Sequence, residues 1–506
     1  MTAAAETSTV ERATGISGGP HPQRWVALGV IAIAQLMVVL DATIVNIALP
    51  SAQKALDISD ADRQWVVTAY TLAFGGLLLL GGRIADYWGR KRTFMVGAIG
   101  FAAASALGGL ATSGAMLFAA RALQGAFGAL LAPASLALLT VLFTEARERA
   151  KAFAVYGAIA GGGSAVGLLL GGVLTEYANW RWCLLVNIPV ALVALALAIP
   201  LVPESRAHGE TSYDVPGAIV VTLGLASLVY GFTEAAKPAE GWGSPTTLAF
   251  IGGGLALLVV FVIIQARVRN PLLPLRIVAD RNRGGAYITS ALVGAGLLGA
   301  FLFLILYLQN VLGYTPLKAG LAALPVTVGV LISAGVASNL LPRIGAKPLM
   351  IVGPILAAGA MFSLRFIGLD TSFWVHLMPA ELFLGLGLGF TFVPLSSLAL
   401  VGVPEHDAGA ASAALNATQQ VGGSLGTALL NTIATSAITA YAVAHLPSAT
   451  SPQDGQKIGL LAQIDGYSSA FTWASVMLLA AAVVAAVLIQ VRKEDLPVDG
   501  AVAHAG

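Results

Sequence analysis

Charge is scarce in this chain. Asp, Glu, Lys and Arg make up 10% of its 506 residues, against about 25% in an ordinary soluble domain. Hydrophobic residues reach 57% and the mean hydropathy is +0.84, so a water-soluble globule is excluded and a polytopic membrane protein is expected. A single cysteine, Cys183, excludes an intrachain disulfide framework and a cysteine-rich metal site. No G-x-x-x-x-G-K-[ST] loop, no cluster of metal ligands and no assembled Ser/His/Asp set is present. The expectation is therefore no enzyme, no cofactor and no metal. With a net charge of only +2, no nucleic-acid partner is expected either.

What is abundant is long apolar runs. They fall at about 25–47, 64–82, 93–112, 115–138, 152–175, 181–201, 214–234, 247–266, 285–310, 317–340, 347–367, 375–398, 410–438 and 468–491. Each is long enough to cross a bilayer as a helix of about 20 residues. None shows the alternation of a β-barrel, and spanning helices satisfy their own backbone in lipid, so the fold class is an all-α polytopic membrane protein. Residues 1–24 are polar and rich in small residues and read as a disordered tail without a cleaved leader; 492–506 read as a second tail. The stretch 440–467 is polar and reads as the longest, mobile loop.

The cations are unevenly placed. Nineteen of the 27 Lys and Arg residues lie on the termini and alternate loops, including Arg83, Arg90, Lys91 and Arg92; six, including Arg63, lie on the opposite loops. Cations beside spans stay on the cytoplasmic side, so both termini are expected there. An internal repeat is visible as well. Gly89-Arg90-Lys91 followed by Val96-Gly97 echoes Gly345-Ala346-Lys347 followed by Val352-Gly353, each after the second span of a six-span block.

Gly82-Arg83-Ile84-Ala85-Asp86-Tyr87-Trp88-Gly89-Arg90-Lys91-Arg92 resembles the G-x-L-A-D-R-x-G-R-K-R loop of the major facilitator superfamily. Leu40-Asp41-Ala42-Thr43-Ile44-Val45-Asn46-Ile47-Ala48-Leu49-Pro50 resembles the first-span motif of its fourteen-helix drug:proton antiporter branch. Arg121-Ala122-Leu123-Gln124-Gly125 resembles that family's R-x-x-Q-G, and Trp180-Arg181-Trp182 with Asn187-Ile188-Pro189 resembles its W-R-W and N-x-P. In the fifth span, Gly163, Gly167, Gly171 and Gly172 follow the antiporter pattern, with Leu168 where the family has Pro. The resemblance implies two six-helix bundles, 25–201 and 285–491, with an inserted two-helix hairpin at 214–266 and a cytoplasmic linker at 267–284. It also implies a proton-coupled exporter of a small amphipathic molecule in a bacterial inner membrane, working by alternating access; a monomer is expected.

Asp41 lies inside a span, where a lone carboxylate is costly and is a functional candidate. The competing reading is a solvated Asp capping an irregular helix end ahead of Pro50. Arg121, at a similar depth, is its expected partner in proton coupling; otherwise it snorkels to the interface. Glu381, embedded in the twelfth span, is a second candidate for a proton or a cationic substrate, unless Pro379 opens a wet helix end. Gln35, Thr43, Asn46, Gln124, Asn416, Gln419 and Gln420 are the substrate-cavity candidates; interhelical hydrogen bonding is the plainer use of each. The glycines of the fifth span permit close helix contact. Family resemblance implies that Gly82, Asp86, Gly89, Arg90 and Arg92 form a latch, with Asp86 at the start of a helix opening near Ala408. The alternative pairs Asp86 with Arg90 or Arg92. Besides a dedicated metabolite exporter, a lipid transporter shares every one of these motifs.

Overall fold

The computed structural model describes residues 23–143, 145–206, 213–237, 239–403 and 405–491. The tails expected at 1–24 and 492–506 lie almost wholly outside the described residues. Every regular element among the described residues is helical. Fourteen long helices correspond to the expected spans: α1 Arg24–Ala55, α2 Trp65–Trp88, α3 Arg90–Gly109, α4 Gly114–Leu142 and α5 Ala146–Tyr177. Next come α6 Trp182–Leu201, α7 Val215–Ala235, α8 Pro245–Arg267, α9 Arg281–Val311, α10 Pro316–Ile344 and α11 Ala346–Leu364. The last are α12 Phe373–Leu398, α13 Glu405–His445 and α14 Pro452–Leu488. Thirteen are long and apolar enough to cross a membrane; α3, headed by three cations and rich in Gly and Ala, is the exception, and it packs inside its bundle with Phe94, Ala98 and Phe101 fully buried.

The repeat seen in the sequence is a repeat of backbone. Gly89 ends α2 with φ 128° and Gly345 ends α10 with φ 80°, conformations open to glycine and strained for other residues. In both halves the second and fourth helices cross at a glycine. A side chain on Gly125 of α4 would strike the Tyr70 carbonyl of α2, and one on Gly385 of α12 would strike the Val326 carbonyl of α10.

Two expectations are corrected. The stretch 440–467 is no mobile loop: α13 runs to His445, and α14 begins at Pro452 with Ser451 accepting from the Asp454 N–H. Ala462, Ile464 and Tyr467 are buried, so helix packing overrides the local polarity there. The first span does not break at Pro50 either; α1 continues to Ala55 with Pro50 inside it. The 267–284 stretch holds one helical turn, Leu275–Val278.

Helices α7 and α8 form a hairpin tied at one end by Asp214, which caps α7 and accepts from Gln265 at 2.5 Å. Helix α8 is largely exposed, through Leu255, Val259, Val262 and Ile263, an apolar face suited to lipid. Helix α7 lies across the seam between the halves. Leu225 and Val229 share an apolar cluster with Leu72 of α2 and Ala428 of α13.

Candidate functional site

Asp41 is fully buried in the middle of α1, and Arg121 is 1% exposed on α4. The Arg121 Nη1 donates to Asp41 Oδ2 at 2.5 Å and to Gln124 Oε1 at 2.8 Å, while its Nε donates to the Val66 carbonyl at 2.9 Å. The guanidinium also lies over the Tyr70 ring, 4.5 Å from its centroid. Asp41 Oδ1 accepts from Gln124 Nε2 at 2.8 Å and from Asn187 Nδ2 at 2.9 Å. Both amides also donate to the Ser105 hydroxyl, at 2.7 and 3.2 Å. Five helices thus converge on one carboxylate. A buried ion pair is tolerated only when its remaining donors and acceptors are matched, and here they are. Neither the solvated-cap reading of Asp41 nor the snorkelling reading of Arg121 survives this geometry.

Two members of the network, Asn187 and Ser105, carry no charge and escape a search for embedded ions. The N-x-P motif was the available signal for Asn187; Ser105 had none. Gln124, a cavity candidate, belongs to this closed network and exposes no surface.

Glu381 presents the opposite situation. It is fully buried on α12, and neither carboxyl oxygen has a hydrogen-bond partner among the described residues. It is not at a wet helix end. Glu381 stands four residues before Gly385, as Arg121 stands four before Gly125, so the two groups occupy equivalent places in the two halves.

The other cavity candidates scatter. Gln35 accepts from Tyr156 at 2.6 Å, linking α1 to α5. Thr43 and Asn46 bond back to carbonyls of their own helix, at Val39, Leu40 and Ala42. Asn416 is exposed and bonds to the Ser412 carbonyl. Gln419 and Gln420 are half-buried on α13: the Gln419 backbone packs on Gly294 of α9, and Gln420 packs on Gly75 of α2. The glycines of α5 do bring helices together: Gly163, Gly167 and Gly171 pack on Val39, Thr43 and Ile44 of α1, and Gly172 on Leu317 of the other half.

In the 82–92 loop, Asp86 pairs with Arg90 at 3.1 Å, and Arg92 lies 3.6 Å from Glu204. Arg90 N–H donates to the Ser205 carbonyl and Lys91 N–H to Glu204 Oε1. Gly82 packs loosely on Pro133, whereas a side chain on Gly89 would meet Glu204. The loop is therefore bound to the chain just after α6. The side chains beside Ala408 lie outside the described residues.

At the far end of the bundle from Arg24, the halves are in contact. Arg63 was expected on an open loop, yet it is 2% exposed, donating to Asn431 Oδ1 at 3.1 Å and to Asp60 at 3.0 Å. Glu234, near the end of α7, is also buried and is paired with Lys237 at 2.6 Å.

Residues 31–427 match the family described as the Major Facilitator Superfamily. The chain belongs to that superfamily. It is 50% identical over 481 residues to a puromycin resistance protein of Streptomyces alboniger, covering 94% of this chain and 93% of the relative. It is 36% identical to a cephamycin export protein of Amycolatopsis lactamdurans, covering 93% and 94%. A tetracenomycin C resistance and export protein of Streptomyces glaucescens is 33% identical, covering 88% and 84%. A bacterial homologue of the human lysosomal transporter Spinster, solved inward-facing and unoccupied, shares the fold with a TM-score of 0.65 at 16% identity, covering 94% of this chain and 99% of that one. The expected superfamily, its drug-efflux branch and the helical membrane fold are thereby borne out.

Proposed function

We propose that this transporter exports an amphipathic antibiotic-like molecule, driven by protons moving inward. The observation that supports proton coupling best is the buried Asp41–Arg121 pair. Protonating Asp41 removes the charge that holds Arg121, Gln124 and Asn187 in place. Proton exchange and movement of α1 against α4, α3 and α6 are then one event. An acid that can load only when helices shift is what couples a gradient to alternating access. Glu381 offers a second place for a proton or for a cationic group on the cargo, because none of the described residues bonds to its oxygens. Each elementary charge crossing with the potential contributes about 2.3 kcal/mol per 100 mV.

Export of antibiotics rests on the relatives, which are named for puromycin, cephamycin and tetracenomycin. Single-compound names favour a narrow cargo, so a dedicated metabolite exporter is the second reading. The cation bias of the loops supports cytoplasmic termini. The sealed end around Arg63 is then the outer end, and the conformation is closed to the outside. The six-helix halves serve as the two rocking bodies, and Asp86, paired with Arg90 in this conformation, is the group that latches onto the helix opening near Ala408 when the inner side closes.

The test is proton release from energised vesicles on adding puromycin, cephamycin and a panel of lipophilic cations. Release by the native protein that is lost in Asp41→Asn supports the proposal. Release that survives in Asp41→Asn moves the coupling role to Glu381. Transport of one compound without proton movement would overturn the coupling.

A further inference from the structure

The seam between the halves contains a polar track not used by the Asp41 network. Gln420, Ser424, Thr427, Asn431 and Thr435 follow one another on α13 at intervals of four, three, four and four residues. This places them on one face of the helix. That face meets α2 and the stretch before it. A methyl group at Gly75 would lie 2.9 Å from the Gln420 Cβ. The Ser424 hydroxyl is 3.5 Å from the Thr68 carbonyl. Asn431 donates to the Asp60 and Ala61 carbonyls at 2.9 and 3.2 Å and accepts from Arg63. Ser424, Thr427 and Asn431 expose no surface, and Thr435 is 7% exposed.

The seal is closed but not matched. Thr427 Oγ1, Thr435 Oγ1, Arg63 Nη2 and Gln64 Oε1 are all buried with no hydrogen-bond partner among the described residues. Buried polar atoms are normally paired. The unpaired atoms of Thr427, Thr435 and Arg63 lie along one seam, Gln64 turning its amide to Thr233 of α7, and they suit a surface that is wetted or occupied in another conformation. A purely structural helix contact would carry apolar side chains here, as α13 does at Leu430, which packs on Gly299 of α9.

We propose that this face of α13 is one wall of the route by which cargo leaves, and that Arg63 holds it shut. Its side chains are uncharged donors and acceptors beside apolar neighbours such as Phe303, over whose ring Arg63 sits at 5.7 Å. The class of molecule it suits carries hydroxyl, carbonyl or amide groups along one side of an apolar body. Arg63 bridges the halves through Asn431 while held by Asp60, so its removal takes one bond from the seam and leaves the side chains of Ser424, Thr427 and Thr435 unaltered. The inference rests on the alternating-access reading above and adds the exit surface to it.

The experiment reads access directly. In a Cys183→Ser background, Thr427→Cys is treated with a water-soluble maleimide in the purified protein, with and without Arg63→Ala. The expected result is protection when Arg63 is present and labelling about tenfold faster in Arg63→Ala, following the rise in the open population. Equal rates overturn the proposal. Leu478→Cys, buried in the C-terminal half, is the control: if it is labelled faster too, the bundle has loosened generally and the assignment falls. Should Arg63→Ala fail to fold, Asn431→Ala takes its place in the same assay. Thr427→Val with Thr435→Val gives an independent readout. A wall residue predicts a higher melting temperature together with slower export, whereas unchanged export contradicts it. Labelling requires neither a proton gradient nor a known cargo, so its failure is separable from failure of the coupling reading.

Discussion

The fourth helix of each half carries an ionisable group at the same station, and the two groups are treated in opposite ways. Arg121 on α4 is bonded to Asp41, Gln124 and a backbone carbonyl, over the Tyr70 ring. Glu381 on α12 has no partner among the described residues. The repeat supplies two equivalent slots, so the contrast comes from the side chains and not from the scaffold. One half invests its buried charge in a matched network that is costly to disturb. The other keeps an acid whose oxygens are open to whatever arrives.

The contrast breaks most sharply at Arg121. Arg121→Ala leaves Asp41 buried without its cation and is expected to cost about 3–5 kcal/mol, seen as a large fall in melting temperature with loss of export. Glu381→Leu should do the reverse to stability. Removing an unmatched buried polar group relieves about 1–3 kcal/mol, so the protein melts higher while export and any proton movement fall; unchanged export would remove Glu381 from the mechanism. Asn187→Leu, which deletes one donor to Asp41, is expected to cost about 1–3 kcal/mol and to shift the pH profile of export, with Asn187→Ser restoring part of both.

A smaller effect separates both networks from the surface. Glu148, at the start of α5, is held below the usual carboxylate range by its hydrogen bond with Arg24 at 2.7 Å. Its contribution is present above the ordinary carboxylate pKa and is lost as pH falls through the lowered folded value. Glu148→Gln should therefore lower stability slightly at neutral pH, by a difference that closes as pH falls through the lowered folded value, so that the acid limb of a pH–stability curve is flattened.

Much of this was legible from residues alone. Apolar length gives the spans, because lipid demands a helix for every crossing. Asp41 and Arg121 stood out as ions where ions are costly. What remained hidden was partnership, which depends on helices far apart in sequence. Asn187 reaches Asp41 across 146 residues. Arg63 looked like any loop cation until Asn431, 368 residues later, closed over it. The stretch 440–467 misled for a related reason: Ala462, Ile464 and Tyr467 are buried, which the local polarity around them does not show.

The hairpin has a consequence for how the protein is made. One flank of α7 rests on α2, through Gln64 donating to Thr233 at 2.7 Å. Its other flank waits for α13, where Thr432 donates to the Phe232 carbonyl at 2.6 Å, 200 residues further along the chain. At about 5–20 residues per second, a ribosome needs roughly 10–40 s to supply that partner. During this interval the nascent chain holds a half-docked hairpin beside an unfilled groove. Biogenesis, as well as transport, then depends on α7 staying on α2 until the last-but-one helix emerges.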